Sequence, residues 1–199
     1  MTQTTQTKKK TKKFTVKSLP ELPNNPLIFE ILDLVSKQRS KAKKIEALRK
    51  YDHKALRSVL IWNFDESIIS LLPDGDVPYV GYDEQNVYSG TLTTKITEEV
   101  RRMHQKGSFS LGASDQQGHT TINREARHFY RFLKGGDPSL NAIRRETMFI
   151  NILQGLHPLE AEIVCLIKDK KLDDKYKITR EVVAEAYPDI HWGDRGNRR

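Results

Sequence analysis

The sequence predicts an all-α fold, a compact helical bundle carrying a disordered basic N-terminal arm, and three observations support this. Apolar residues recur at three- and four-residue spacing through most of the chain, which is the period of an amphipathic helix. Between Gly135 and Pro188 that pattern is punctuated by helix start and stop residues: Asp137-Pro138, Gly155, Pro158, Thr179 and Pro188. The composition, 37% apolar against 30% charged over 199 residues, suits helices with long exposed faces.

Several function classes are set aside by composition. No uninterrupted apolar run approaches the roughly 18 residues of a membrane span, so no membrane partner is expected. The N-terminus opens on Thr, Gln and Lys without the apolar stretch of a secretory leader. The single cysteine, Cys165, excludes an internal disulfide and a cysteine-based zinc site. It lies in the run Ile163-Val164-Cys165-Leu166-Ile167, where a thiol behaves as a small hydrophobe.

The net charge of +8 is not spread along the chain. Residues 1–18 hold Lys8, Lys9, Lys10, Lys12, Lys13 and Lys17 and no acid, and residues 194–199 hold Arg195, Arg198 and Arg199 against Asp194. These two ends account for all of the excess, so residues 19–193 are formally neutral. Charge placed this way favours a basic arm over a whole surface built for phosphates.

In order along the chain, residues 1–26 read as the arm and a proline-rich connector. Pro20, Pro23 and Pro26 each remove a donor and restrict the preceding residue, so no helix is expected there. A single helical domain is expected over 27–192, divided into N-terminal helices (27–72), a loop-rich middle (73–120) and C-terminal helices (121–188), with a basic tail at 193–199. Leu27, Ile28, Ile31, Leu32 and Val35 share one helical face, with Pro26 suited to its first turn. Ser36 to Lys50 is basic, with Ala42, Ile45 and Leu48 as its apolar stripe. Asp52 is the expected cap of a helix through Leu56, Val59 and Leu60.

Between Lys37 and Arg57 nine Lys and Arg face only Glu46 and Asp52. Such a cluster, Lys41, Lys43 and Lys44 included, can track a phosphate backbone. Equally it can be a solvated helix face, or the docking surface for residues 58–94, which carry six acids and no base. Asp74, Asp76, Asp83 and Glu84 lack the spacing of a calcium loop, and no metal site is expected.

Thr97 is the expected cap of a short helix from Glu98 to Gln105, and Lys106 to Gly118 reads as an exposed loop. Over Ile122 to Lys134, helical periodicity puts Ala126, Phe129, Tyr130 and Leu133 on one side and Arg124, Arg127 and Arg131 on the other. Basic residues beside aromatics can bind a single strand by charge and stacking, whereas aromatics at helical spacing also make core. Asp137 and Pro138 then launch a helix along Leu140, Ile143, Ile150 and Leu153, ended by Gly155 in a left-handed conformation. Pro158 starts the next, with Leu159, Ile163, Leu166 and Ile167 inward, and Thr179 caps the last, Arg180 to Tyr187. A helix-turn-helix reading of this trio is weakened by Glu181 and Glu185 on its final helix.

A search for catalysis finds nothing. The six histidines show no metal-binding spacing, and the chain has no Walker loop, nucleophile elbow or dinucleotide fingerprint. Asp169 and Lys171 only faintly imitate the end of a nuclease motif. No catalytic residue, metal or cofactor is expected, and the protein is not expected to be an enzyme.

One resemblance rests on the order of several motifs. They are Phe132-Leu133-Lys134-Gly135-Gly136-Asp137-Pro138, Arg145-Glu146-Thr147-Met148-Phe149-Ile150, Leu153-Gln154-Gly155-Leu156-His157, Lys168-Asp169-Lys170-Lys171-Leu172 and Val182-Val183-Ala184-Glu185-Ala186-Tyr187-Pro188. With Lys50-Tyr51-Asp52 and Leu72-Pro73-Asp74-Gly75 upstream, they resemble an uncharacterised family encoded by T-even-type myoviruses, especially cyanophages. The resemblance covers most of 27–192, while the basic arm and the loop at 106–118 depart from it. It implies a phage product acting in the host bacterial cytoplasm or in the virion, and it carries no site residues. Two functions follow as expectations. One is a non-enzymatic accessory protein contacting DNA or RNA through Lys8, Lys9, Lys10, Lys12, Lys13 and Lys17, aided by Lys41, Lys43 and Lys44. The other is a protein-interaction or virion-structural protein binding a phage or host partner through its helical surface.

Overall fold

The structure, a computed structural model, describes residues 19–78, 90–106 and 118–195. It is all-α: among these residues the only β pairing consists of isolated bridges, Ser70 with Leu133 and Thr120 with Leu156. The helices in order are α1 (Ile28–Ser36), α2 (Lys41–Lys50), α3 (Lys54–Phe64), α4 (Leu92–Lys106) and α5 (Ile122–Glu125). A 3-10 helix (Ala126–Phe132) follows, then α6 (Ala142–Gly155), α7 (Pro158–Lys168), α8 (Leu172–Tyr176) and α9 (Arg180–Ala186).

The fold is built around α7, which packs against α1, α3, α4, α6 and α8. Pro158 at the first position and the His157 imidazole, whose Nδ1 accepts the Leu159 N–H at 3.2 Å, start it. Leu159, Ala161, Ile163, Val164 and Ile167 are all buried, so α7 turns more than one face to its neighbours. Two polar side chains tie it in. Glu160 is fully buried, and its two carboxylate oxygens accept the N–H of Ile28 (3.1 Å) and of Ile122 (2.9 Å). These are the first residues of α1 and α5, whose amides have no partner within their own helices. One side chain thus caps two helices from distant parts of the chain. Burial pushes the Glu160 carboxyl up to about 7, with the two backbone bonds pulling the other way. At the far end buried Lys168 donates to the Pro73 carbonyl (2.8 Å) and to the Asp169 carboxylate, pinning the 73–75 turn to α7. Nearby, the Leu172 N–H at the start of α8 finds the Asn63 side-chain oxygen at 3.0 Å.

Several expectations need correction, each for a local reason. Pro26 lies before the first turn of α1; Leu27 holds the cap position and Glu30 accepts its N–H at 2.8 Å. Ala42 is exposed, and it is Ala47 that completes the buried face of α2 with Ile45 and Leu48. The α3 cap is His53, accepting from the Ala55 N–H, because Asp52 is engaged by Arg57 instead. Helix α4 spans fifteen residues rather than eight, with Thr91 accepting the Thr94 N–H, and buries Leu92, Ile96 and Val100 as one stripe. Thr97, the expected cap, lies inside it and bonds back to the Thr93 carbonyl.

Residues 126–132 wind as a 3-10 helix. Its period of three buries Phe129 and Phe132 and leaves Tyr130 47% exposed, whereas a 3.6 period would have put Tyr130 inside. Asp137 and Pro138 make a turn, in which Asp137 accepts from Ser139, and α6 begins only at Ala142 with Asn141 as its cap. Ile143, expected in the core, is therefore 77% exposed. Gly155 is not left-handed. It is the last residue of α6, and its carbonyl accepts the Thr120 N–H at 3.0 Å. Helix α8 was not foreseen.

Candidate functional site

Of the residues singled out for nucleic acid, Lys8, Lys9, Lys10, Lys12, Lys13 and Lys17 lie outside the described residues. The other three lie on α2. Lys41 pairs with Glu185 at 2.6 Å, Lys44 donates to the Lys177 carbonyl at 2.6 Å, and the Lys43 N–H closes the Ser40 cap.

Further along the same stretch, Arg49 donates to the Glu185 and Ala186 carbonyls, satisfying the end of α9. Arg57 reaches Asp52 and Asp189 and lies over the Tyr187 ring at 4.4 Å. Its guanidinium is held charged, chiefly by the bonded Asp52 and then by Asp189, against a burial cost. Tyr187 completes the seam by donating to the Leu48 carbonyl at 2.7 Å. The basic stretch 37–57 is therefore in large part the seat of α9. Of the acids in 58–94 that could have covered it, Asp65 instead joins Arg195, while Asp83 and Glu84 lie outside the described residues.

The described residues form a different basic feature, one not foreseen as a whole. A groove of about 420 Å³ lies between α3, the 67–68 segment, the 3-10 helix and the 133–136 turn. Its apolar floor includes Ile61, Trp62, Ile68 and Phe129, and Tyr130 stands on its rim. The charged residues lining it are all cations: Arg127, Lys134 and Arg195. No carboxylate, imidazole or thiol is among the residues that line it.

Local geometry fixes each wall. Trp62 meets Phe129 edge-on at 5.1 Å between centroids, and Phe132 continues the aromatic cluster below. The chain doubles back at Gly135, whose φ is +81°, and passes so close beneath Tyr130 that a Cβ on Gly136 would stand 1.7 Å from its carbonyl oxygen. Arg131 donates to the Tyr130 hydroxyl at 3.1 Å and lies 3.7 Å from Asp137.

Arg195 is set by Asp65, a carboxylate only 2% exposed that also accepts from Ser67 and the Gly193 N–H. Burial pushes that carboxyl up, but the bonds from Ser67, Gly193 and Arg195 outweigh it and hold it below its ordinary value. The visible sequence signal for this groove was the mixture of Arg and aromatics at 124–134. The contributions of Trp62, Ser67 and Arg195 are long-range and had none.

The chain is thus an all-α protein organised on a buried central helix, with a cation-rimmed aromatic groove on its surface. It belongs to a family of unknown function (DUF6433), whose model matches residues 31–116 and 111–174. The two matched stretches overlap at 111–116, inside the loop expected to depart from the pattern. No curated protein and no solved structure matches the chain. No helix among the described residues is long and apolar enough to cross a membrane.

Proposed function

We propose that this is a phage-encoded, non-enzymatic accessory protein that contacts nucleic acid through its basic N-terminal segment, Lys8, Lys9, Lys10, Lys12, Lys13 and Lys17. The observation that carries this reading is the segregation of charge: six lysines and no acid in residues 1–18, against a formally neutral 19–193. The engagement of Lys41, Lys44, Arg49 and Arg57 within the fold supports it too, because it takes those four cations out of the rival face at 37–57. The phage assignment is supported by the order of the motifs from Phe132 to Pro188, and it places the protein in an infected bacterial cytoplasm or in the virion.

The test is binding of labelled duplex and single-stranded DNA and RNA across a salt series, for the full chain and for a chain beginning at Ser18. A segment neutralising about five phosphates gives a log-log salt slope of about −4 to −5 on duplex DNA. Loss of that slope on truncation is the expected result, and failure of the full chain to bind at low salt overturns the proposal. A second reading, docking of a phage or host protein, has one observation in its favour. Ile69 (51% exposed) and Leu71 (40% exposed) stand side by side where their segment pairs with Phe132 and Lys134.

A further inference from the structure

We propose that the groove beside Tyr130 takes an unstacked nucleotide of a single-stranded nucleic acid. Its base lies on the Tyr130 ring and its phosphate against Arg127 and Lys134. This deepens the nucleic-acid reading above and rests on it, but its site is separate from the lysine-rich segment.

Three observations converge on this ligand. The charged residues lining the groove are exclusively cationic, and the Lys134 side chain is exposed with no ion pair among the described residues, so an anion is the complementary occupant. Tyr130 is 47% exposed beside a buried aromatic floor, with Arg131 over one face of its ring at 5.6 Å, and an exposed ring flanked by cations is the arrangement that holds bases by stacking while charge holds the backbone.

Shape is the third: a concave site of about 420 Å³ admits one splayed nucleotide, whereas a duplex keeps its bases stacked and presents only a convex backbone. The walls are also held in place without ligand, by the close pass of Gly136 under Tyr130, the bond from Arg131 to the Tyr130 hydroxyl, and the Asp65–Arg195 pair.

The experiment is fluorescence anisotropy with the full chain, titrating a short labelled oligothymidylate and a short labelled duplex at low salt. The substituted chains are Tyr130→Ala and Lys134→Glu, with Lys134→Arg as the conservative control. Lys134 is exposed, so the melting temperature of its variants stays at that of the unsubstituted chain; Tyr130→Ala also removes the Arg131 bond to its hydroxyl, and Tyr130→Phe separates that loss from loss of the ring. The expected result is a preference for the single strand. Tyr130→Ala and Lys134→Glu each weaken single-strand binding about tenfold, the range of one lost base stack, with duplex binding unchanged and Lys134→Arg fully active. Equal affinity for both nucleic acids, unmoved by these substitutions, overturns the groove while leaving the lysine-rich segment as the contact. No binding of either probe overturns both proposals together. Displacement of the oligothymidylate by oligoglutamate at similar concentration overturns the nucleotide as ligand in favour of an acidic peptide.

Discussion

Glu160 is where sequence, packing and pH meet most sharply. It is fully buried, and each of its carboxylate oxygens accepts one backbone N–H, from the first residues of α1 and α5. Replacing it with Ala leaves two buried donors without acceptors. Each unmet donor costs about 1–3 kcal/mol, so E160A is expected to destabilise by about 3–5 kcal/mol. Against a total of about 5–15 kcal/mol for a domain, that is enough to bring the protein near its unfolding midpoint at modest urea concentration. Glu160→Gln keeps one acceptor and turns its amide toward the other donor, so its cost at neutral pH is smaller, about 1–2 kcal/mol.

The pH dependence separates the two variants further. Burial raises the folded-state value of Glu160 to about 7 from an ordinary 4.5. The folded state therefore binds this proton more tightly than the unfolded chain, and protonation stabilises the fold. The contribution is absent well above pH 7, grows as pH falls toward 4.5 and is constant below. At about 1.4 kcal/mol per pH unit, it reaches about 3 kcal/mol. Urea denaturation of the native chain and of E160Q at several pH values between 4 and 8 reads this directly, because every other titrating group is common to both. The native chain gains on E160Q as the solution is acidified. A difference that stays flat across that window refutes the burial account of its titration, and an E160A variant within about 1 kcal/mol of the native chain at pH 7 refutes the double cap.

Asp65 has the opposite sign. Its value lies below that of an ordinary carboxylate, so its stabilisation is present at neutral pH and is lost as pH falls through the acid range; Asp65→Asn is expected to cost about 2 kcal/mol at pH 7 and little in acid, read by the same denaturation series. Gly136→Ala places a methyl 1.7 Å from the Tyr130 carbonyl, an overlap no rotamer relieves, so a loss of about 2 kcal/mol or more in thermal unfolding is expected. The Cys165 thiol, pushed by burial up to about 12, is expected to resist a disulfide reagent at pH 8 in the native state and to react promptly in urea.

What the sequence made legible was local. The His157-Pro158 start of α7 and the face of α1 follow from residues within a few positions of one another, and both lie where expected. Errors arose where another side chain or the packing of the core outweighed a local preference. Asp52 is a good cap by type, yet Arg57 occupies it and His53 caps α3 instead. The segment 126–132 has no intrinsic mark of a 3-10 helix. It becomes one where Phe129 and Phe132 must both reach the cluster around Trp62 and Phe149, which a three-residue period allows. The role of Glu160 could not be read at all, since its partners lie 132 and 38 residues away.

The same distinction decides how charge is to be read. Nine bases between Lys37 and Arg57 look like a binding face when counted along the chain. In space, Arg49 satisfies the carbonyl end of α9, Lys41 meets Glu185, Lys44 meets the Lys177 carbonyl and Arg57 bridges Asp52 and Asp189. These cations spend their donors holding the C-terminal helices, and a phosphate backbone would have to compete with contacts already made. By contrast, Lys134 and Arg127 carry no carboxylate partner among the described residues, though the segment holding them is far less conspicuous as a run of charge. A basic run identifies candidates only, and pairing decides which are available: Lys41, Lys44, Arg49 and Arg57 are engaged within the fold, whereas Lys134 and Arg127 at the rim of the Tyr130 groove carry no carboxylate among the described residues.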